Sequence, residues 1–252
     1  MNNKPIIGFL IPTTSKNRKW KNLEESYLIK YFLRSLIKSV NFKQTYRIYL
    51  VIDSDDNFFC DENFDDICIV LNIKIIKIIN KSVRKGHLTK LWNMAFKKAY
   101  NDYCDYFYQC GDDIEFMTKD WIDDSIKILN ENNEIGLTGP LDLGRLNIDY
   151  EHRPGGKRFI QTQTFVSRKH MEIFGFFFPE EIKNWYCDDW ITKIYYPNYF
   201  YKLEHFHFNQ GGEPRYVIEG ELNENDPIKQ KCDQLIKRDK KEIFNFINSQ
   251  NS

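Results

Sequence analysis

The sequence predicts an α/β domain in which a mostly parallel central sheet carries helices on both faces. Apolar runs of strand length alternate with segments whose apolar residues recur at helical spacing. Several of those runs also stop on acidic or polar clusters, and an open parallel sheet binds its ligands beyond the carboxyl ends of its strands.

Taken in order, Ile6-Ile7-Gly8-Phe9-Leu10-Ile11 lies between Pro5 and Pro12 and suits a strand buried on both faces. Thr13-Thr14-Ser15-Lys16 follow as a polar loop. From about Leu23 to Val40, the residues Leu28, Tyr31, Phe32 and Leu36 form a helical stripe. Tyr46 to Ile52 reads as a second strand, ending in Asp53-Ser54-Asp55-Asp56, and Ile73 to Ile79 as a third. After Lys85-Gly86 comes a helix with Leu88, Leu91, Trp92, Ala95 and Ala99 inward, and Asn93 off that stripe on the flank of Thr89. The aromatic run beginning at Asp105 is a strand that halts on Asp112 and Asp113. Thr118 is expected as the N-cap of a helix carrying Asp120 in its first turn and Ile122, Ile126 and Leu129 inside.

Ile135 to Pro140 resembles a further short strand, and Leu141 to Lys157 reads as a long loop, a place where function is often found. Arg158 to Val166 is expected as a strand with Gln161 and Gln163 on one face, and Ser167 to Ile173 as a helix stopped at Gly175. Phe176-Phe177-Phe178-Pro179 is an apolar wedge. Beyond it, Asp188 and Asp189 form a second acid pair at a helix start, set among Trp185, Tyr186 and Trp190. Tyr199 to Phe208 is strand-like, with His205 and His207 on one face. Asp226-Pro227 opens a last helix with Ile228, Cys232, Leu235 and Ile236 inward.

Composition narrows the function. The 36 basic and 36 acidic residues leave no net charge, which argues against nucleic-acid binding as the main task. No run reaches the length of a membrane span and the amino terminus has no signal-peptide pattern, so a cytoplasmic protein without a transmembrane segment is expected. The 6 cysteines have no CxxC spacing, implying neither zinc nor a disulfide framework.

The chemistry gathers at the acid pairs. Asp112-Asp113 at a strand end, with no nearby Cys or His, suits a hard cation such as Mg2+ or Mn2+ held jointly with substrate phosphates. The plainer reading is a solvated acidic turn. Asp53-Ser54-Asp55 is a competing acid cluster one strand earlier, and a turn cap is as good a reading for Asp55 and Asp56.

Five landmarks together resemble the nucleotide-sugar-dependent glycosyltransferases of the GT-A fold, particularly the inverting, family-2-like enzymes. They are Ile11-Pro12-Thr13-Thr14, Val51-Ile52-Asp53, Lys85-Gly86 with Asn93, Gly111-Asp112-Asp113 in place of the DxD motif, and Cys187-Asp188-Asp189-Trp190 where such enzymes carry Glu-Asp-Trp. The likeness runs over roughly residues 5 to 210, and it departs from the pattern in the Gly of the DxD position and in Asp188 for Glu. It implies one domain over 1–252, with a nucleotide-binding half to about 116, an acceptor half to about 225 and a C-terminal helix over about 226–248.

The resemblance implies a nucleoside diphosphate sugar donor, UDP-linked, and a glycan, lipid-linked or protein acceptor. It places Pro12, Thr13, Thr14, Asp53, Lys85, Gly86, Asn93 and Asp112 at the donor, and a Mn2+ or Mg2+ ion on Asp113 and Asp112 with His207. Asp189 becomes the general base and Asp188 the residue holding the acceptor, with Trp185, Tyr186 and Trp190 as a stacking wall. Against these stand a solvated Lys85, an Asn93 that braces the turn above it, a plain loop at Thr13 and aromatics that serve the core. A sugar-phosphate nucleotidyltransferase and a catalytically silent sugar-binding module are the rival functions. No Gly-rich, Arg/Lys-bearing loop follows the first strand, and both acid pairs are intact, which speaks against each in turn.

Overall fold

The computed structural model describes residues 4–41, 43–146, 160–211 and 226–250. Four parallel strands, β1 (Ile6–Thr13), β2 (Thr45–Asp53), β3 (Ile73–Asn80) and β4 (Tyr106–Gln109), and the antiparallel β7 (Thr164–Ser167) form a sheet in the order β3-β2-β1-β4-β7. A smaller sheet of order β5-β8-β6 is built from β5 (Ile114–Phe116), β6 (Leu141–Asp142) and β8 (Phe206–Asn209).

Pro12 does not bound β1 but lies within it, opposite Val51. Leu10 accepts from Cys110 N on the β4 side, and the β1–β4 ladder ends at Leu10 with Gln109. Residues two apart point their backbone groups the same way, so the N–H that Pro12 lacks would face a strand that has already turned away.

Alternation along β1 divides the core. Ile7, Phe9 and Ile11 pack with Leu28, Phe32, Leu36, Phe59 and Trp121 on one face, and Leu10 joins Trp92, Ala95, Phe177 and Trp190 on the other. The first face is covered by a π-helical stretch, Leu28–Leu33, running into α1 (Arg34–Ser39). That wider turn buries Leu33 while Tyr31 stays half-buried, where an unbroken α-helix predicts Tyr31 inward. Two short helices, α2 (Asn57–Cys60) and α3 (Asp65–Leu71), connect β2 to β3. The second face is covered by α4 (Leu88–Asn101), which approaches β1 closely: a Cβ on Gly8 would lie 3.2 Å from that of Ala99.

Other expectations shift for local reasons. Thr118 does not cap α5 (Trp121–Glu131), because its hydroxyl accepts from Phe206 N at 3.0 Å and meets His205 Nδ1 at 3.1 Å. Asp120, left-handed at φ 60°, turns the chain into the helix instead. The stretch expected as one strand over 135–140 makes two single bridges, Leu137 with Phe200 and Thr138 with Phe165. The expected loop begins with β6 and the short α6 (Leu143–Leu146); its remainder from 147, and residues 158–159 of the next expected strand, lie outside the described residues. α7 (Lys169–Phe174) stops at a left-handed Gly175, φ 75°, as the sequence suggests. α8 (Cys187–Tyr195) and α9 (Pro227–Gln250) complete the second face, tied by Trp190 Nε1 donating to Asp239 Oδ2 at 2.9 Å. Among the described residues no helix is long and apolar enough to cross a membrane.

Candidate active site

Parallel pairing brings the carboxyl ends of β1 to β4 to one edge. Asp53, last in β2, stands in register with Asn80, last in β3. Asn80 Nδ2 donates to Asp53 Oδ1 at 2.8 Å and to the Val83 carbonyl at 3.0 Å, and Asn80 Oδ1 accepts from Val83 N at 2.8 Å. One amide therefore shapes the following turn and orients a buried Asp53. Asp56 closes the neighbouring loop: Thr14 Oγ1 donates to it at 2.8 Å, Ser15 N at 2.6 Å and Ser15 Oγ at 2.8 Å. The Thr14 hydroxyl is thus engaged in loop structure. Thr13 spans instead to the acid pair, its Oγ1 donating to Asp112 Oδ2 at 2.5 Å.

Asp112 is fully buried and Asp113 half-buried at the turn between β4 and β5. A Cβ on Gly111 would sit 2.5 Å from Asp113 Oδ1, so the glycine lets that carboxylate fold back over the turn. Two adjacent carboxylates suit a hard divalent cation that takes its other ligands from phosphates and water. The third expected ligand is set apart. His207 pairs opposite Phe116 and Asp142, three positions along the ladder from Asp113, or about 10 Å. Among the described residues no group of three His, Cys, Asp or Glu side chains converges as a metal set would, so the structure brings Asp112 and Asp113 together and does not bring His207 to them.

Above Asp53, Lys85 is hydrogen-bonded to Asp55, and Lys16 lies 3.8 Å from the same carboxylate. The Lys85 bond holds Asp55 below the usual carboxylate range, and the contact with Lys85 lowers Lys16. Two ammonium groups therefore stand on one rim. Gly86 has φ 85°, a conformation that favours glycine, and its carbonyl accepts from Asn184 Nδ2 at 3.3 Å. Asn93 is committed to the aromatic turn: Oδ1 accepts from Phe177 N at 3.0 Å and Phe178 N at 2.9 Å, and Nδ2 donates to the Phe178 carbonyl at 2.8 Å. It braces that turn, so Asn93 ties α4, and Gly86 the β3–α4 loop, to the segment leading into α8.

Asp188 and Asp189 both lie in the first turn of α8, where the helix N-terminus favours carboxylates, but their side chains part. Asp189 pairs with Lys193 at 3.3 Å, and Lys193 lies 3.7 Å from Asp233 of α9. Asp188 contacts Cys187, whose Sγ donates to its Oδ1 at 3.5 Å, and faces charges from β6 and α6. Burial pushes its carboxyl up to about 7, with Asp189 and Asp142 adding to the rise and Arg145 opposing it. Trp190 is fully buried among Phe174, Phe176 and Phe178 and belongs to the core rather than to a stacking wall. Trp185 and Tyr186 are half-buried, Tyr186 left-handed at φ 70°.

Several buried polar atoms have no hydrogen-bond partner among the described residues, including Tyr108 Oη, Gln161 Oε1, Thr162 Oγ1, Gln163 Oε1 and both ring nitrogens of His207. Gln161 Nε2 donates to the Pro140 carbonyl at 2.7 Å, and that carbonyl also lies near His207, outside hydrogen-bonding geometry. Burial lowers His207 to about 3, so the ring is neutral. An unsatisfied buried polar group costs about 1–3 kcal/mol, and such a concentration suits polar ligands or ordered water. Asn80, Asp142, Arg145 and Tyr108 were not signalled by any motif, and an Asn closing the third apolar run was the faintest available hint, whereas Asp56 is the cap that the sequence offered, at the start of α2.

No family model matches the chain, and no curated protein matches it in sequence. Solved structures do. A Staphylococcus aureus TarS fragment, residues 1–349, in complex with UDP superposes with TM-score 0.58 at 15% identity over 92% of this chain. The same fragment with UDP-GlcNAc gives 0.57 at 16% identity over 84%. GalNAc-T7 with UDP, GalNAc and Mn2+ gives 0.58 at 12% identity over 90%. The fold is GT-A. The present chain spans 64%, 62% and 47% of the lengths of those three chains. The GT-A arrangement accounts for the common edge at the carboxyl ends of β1 to β4 and for the smaller second sheet.

Proposed function

We propose that this protein is a glycosyltransferase that moves a sugar, with inversion, from a UDP-sugar to an acceptor hydroxyl in the presence of Mn2+ or Mg2+. The observation that carries the reading is the assembly on one sheet edge of Asp53 held by Asn80, Asp112 held by Thr13, and Asp113 beside it. Asp53 is suited to accept from the uracil ring N–H, since a carboxylate is purely an acceptor. Asp112, oriented by Thr13, suits the ribose hydroxyls, and Lys85 with Lys16 suits the diphosphate as point charges. Pro12, Thr14 and Gly86 shape the loops around these groups. Asp113 and Asp112 would hold the metal ion, which supplies charge stabilisation to the departing diphosphate. Trp185 and Tyr186 offer aromatic faces to the acceptor sugar, and the carboxylates at the start of α8 provide the general base.

Thermal unfolding with a panel of nucleotide sugars and MnCl2 tests the reading, because a ligand bound by the native state alone raises its stability. UDP-sugars should raise the melting temperature in Mn2+ and lose that effect in EDTA. No shift with any nucleotide or nucleotide sugar would contradict it.

A further inference from the structure

The end of the main sheet away from Asp53 and Asp112 holds a separate recess of about 540 Å³, between the amino ends of β2 and β3 and the end of α4. Its polar lining is Arg47, Lys74, Lys98, Asn101, Asp102 and Tyr103. Arg47 precedes Asp53 by six residues on β2, about 20 Å along the strand, so this recess is not part of the candidate active site. Strand alternation gathers its cations. Arg47 lies two residues before Tyr49 and Lys74 two before Ile76, and Tyr49 and Ile76 both pack on the face that α4 covers. Arg47 and Lys74 are also register partners, so their Cα atoms stand about 4.8 Å apart across the parallel pair. Like charges opposed on neighbouring strands destabilise one another, and an anion bound between them removes that cost. The carboxylate at hand is already engaged: Lys98 Nζ donates to Asp102 Oδ1 at 2.5 Å and Tyr49 Oη to Oδ2 at 3.1 Å. Arg47 Nη1 donates to the Asp102 backbone carbonyl instead, at 2.6 Å, and Lys74 makes no ion pair among the described residues. Three cations therefore face one occupied carboxylate. Tyr103, beside them, is 78% exposed and left-handed at φ 61°, a conformation uncommon for a bulky side chain and one in which glycine would end the helix without strain.

We propose that this recess binds a phosphate dianion carried on a sugar. Arg47 supplies a planar fork to the phosphate oxygens, and Lys74 adds a point charge from the neighbouring strand, with Lys98 behind them. The Tyr103 ring lies against the apolar C–H face of the sugar. A recess of this volume takes a ligand of that size. The proposal is independent of the glycosyl-transfer reading, since none of these residues belongs to the edge at Asp53, Asp112 and Asp113, and it involves binding alone.

The experiment is a 1H–15N NMR titration of the full chain with glucose 6-phosphate and, separately, with inorganic phosphate, at a mildly alkaline pH where both are dianions and at constant ionic strength so that general screening is held fixed. The backbone amides of Lys74, Asn101 and Tyr103 should move and saturate with both probes, glucose 6-phosphate binding the more tightly. Lys74→Gln should weaken both about fivefold, the size of one partly screened charge pair, and Arg47→Gln at least as much. If Arg47→Gln fails to fold for want of its bond to the Asp102 carbonyl, Lys74→Gln, whose side chain is exposed, decides. Tyr103→Ala should bring glucose 6-phosphate down to the affinity of inorganic phosphate and leave the latter unchanged. Shifts that grow without saturating, affinities unmoved in Lys74→Gln, or perturbations confined to the amides of Lys85, Asp112 and Asp113 would overturn the proposal. Equal affinity of the two probes for the wild type would overturn the role given to Tyr103.

Discussion

Asn93 separates a structural from a donor-binding role most cleanly. Its amide makes three hydrogen bonds to the backbone of Phe177 and Phe178, both fully buried and packed on Phe96 and Trp92. Each bond contributes about 1 kcal/mol net, and truncation leaves two N–H groups and a carbonyl without partners, so Asn93→Ala should cost about 3 kcal/mol. At about 2–4 °C per kcal/mol for a chain of this size, the melting temperature should drop by about 6–12 °C. Asn93→Asp should fall between, because its carboxylate still accepts from both N–H groups but cannot donate to the Phe178 carbonyl. Differential scanning calorimetry gives the first quantity and UDP titration calorimetry, run well below the transition, gives the second. UDP affinity should be unchanged. A full loss of UDP binding with an unaltered melting temperature would refute the reasoning and return Asn93 to the donor.

Three further outcomes are expected. Asp113→Ala should abolish the dependence of UDP binding on Mn2+; a variant still sensitive to EDTA would remove Asp113 from the metal. Asp53→Ala and Asn80→Ala should both weaken UDP while leaving the cation response intact, Asn80→Ala by about 1 kcal/mol or fivefold, since it removes the bond that orients Asp53; equal UDP affinity in both variants and wild type would take the nucleoside away from this strand end. His170, neutral and lowered to about 4 by burial, meets Tyr195 Oη at 2.8 Å and the Phe177 carbonyl at 3.0 Å. Because the unfolded chain takes up that proton first, its contribution, about 3 kcal/mol, is present above pH 6.5 and lost as pH falls toward 4. The slope of stability against pH in that window should flatten in His170→Gln, and an unchanged slope would show that this ring is not responsible.

What was legible in the sequence follows from how local each feature is. β1, β2 and β4 announce themselves because a strand buried on both faces reads as a near-continuous apolar run, and the acids after β2 and β4 follow directly; β3, an edge strand with Lys74 and Lys77 exposed, shows through its isoleucines. The strands β6 and β8 have 2 and 4 residues, too few for a period, and they exist through pairing with each other and with β5. The π turn at Leu28–Leu33 shifts the buried stripe by a residue, which no count of apolar spacing reveals. Roles that depend on distant partners were invisible for the same reason. Asp56 resembles Asp55 in sequence, yet one is sealed by Thr14 and Ser15 and the other sits exposed between two lysines. Trp190 resembles Trp185, yet its indole N–H is spent on Asp239, 49 residues away.

The central claim, that the edge formed by Asp53, Asp112 and Asp113 takes a nucleoside diphosphate sugar and breaks its sugar–phosphate bond, is tested most directly by product analysis. Wild type and Asp113→Ala are incubated with UDP-GlcNAc and other UDP-sugars in MnCl2, and the nucleotide products are separated by ion-exchange chromatography. The account predicts slow release of UDP from at least one donor by the wild type, no pyrophosphate, and no UDP from Asp113→Ala. Pyrophosphate with UTP and a sugar phosphate as substrates, or UDP released equally by Asp113→Ala, would contradict it.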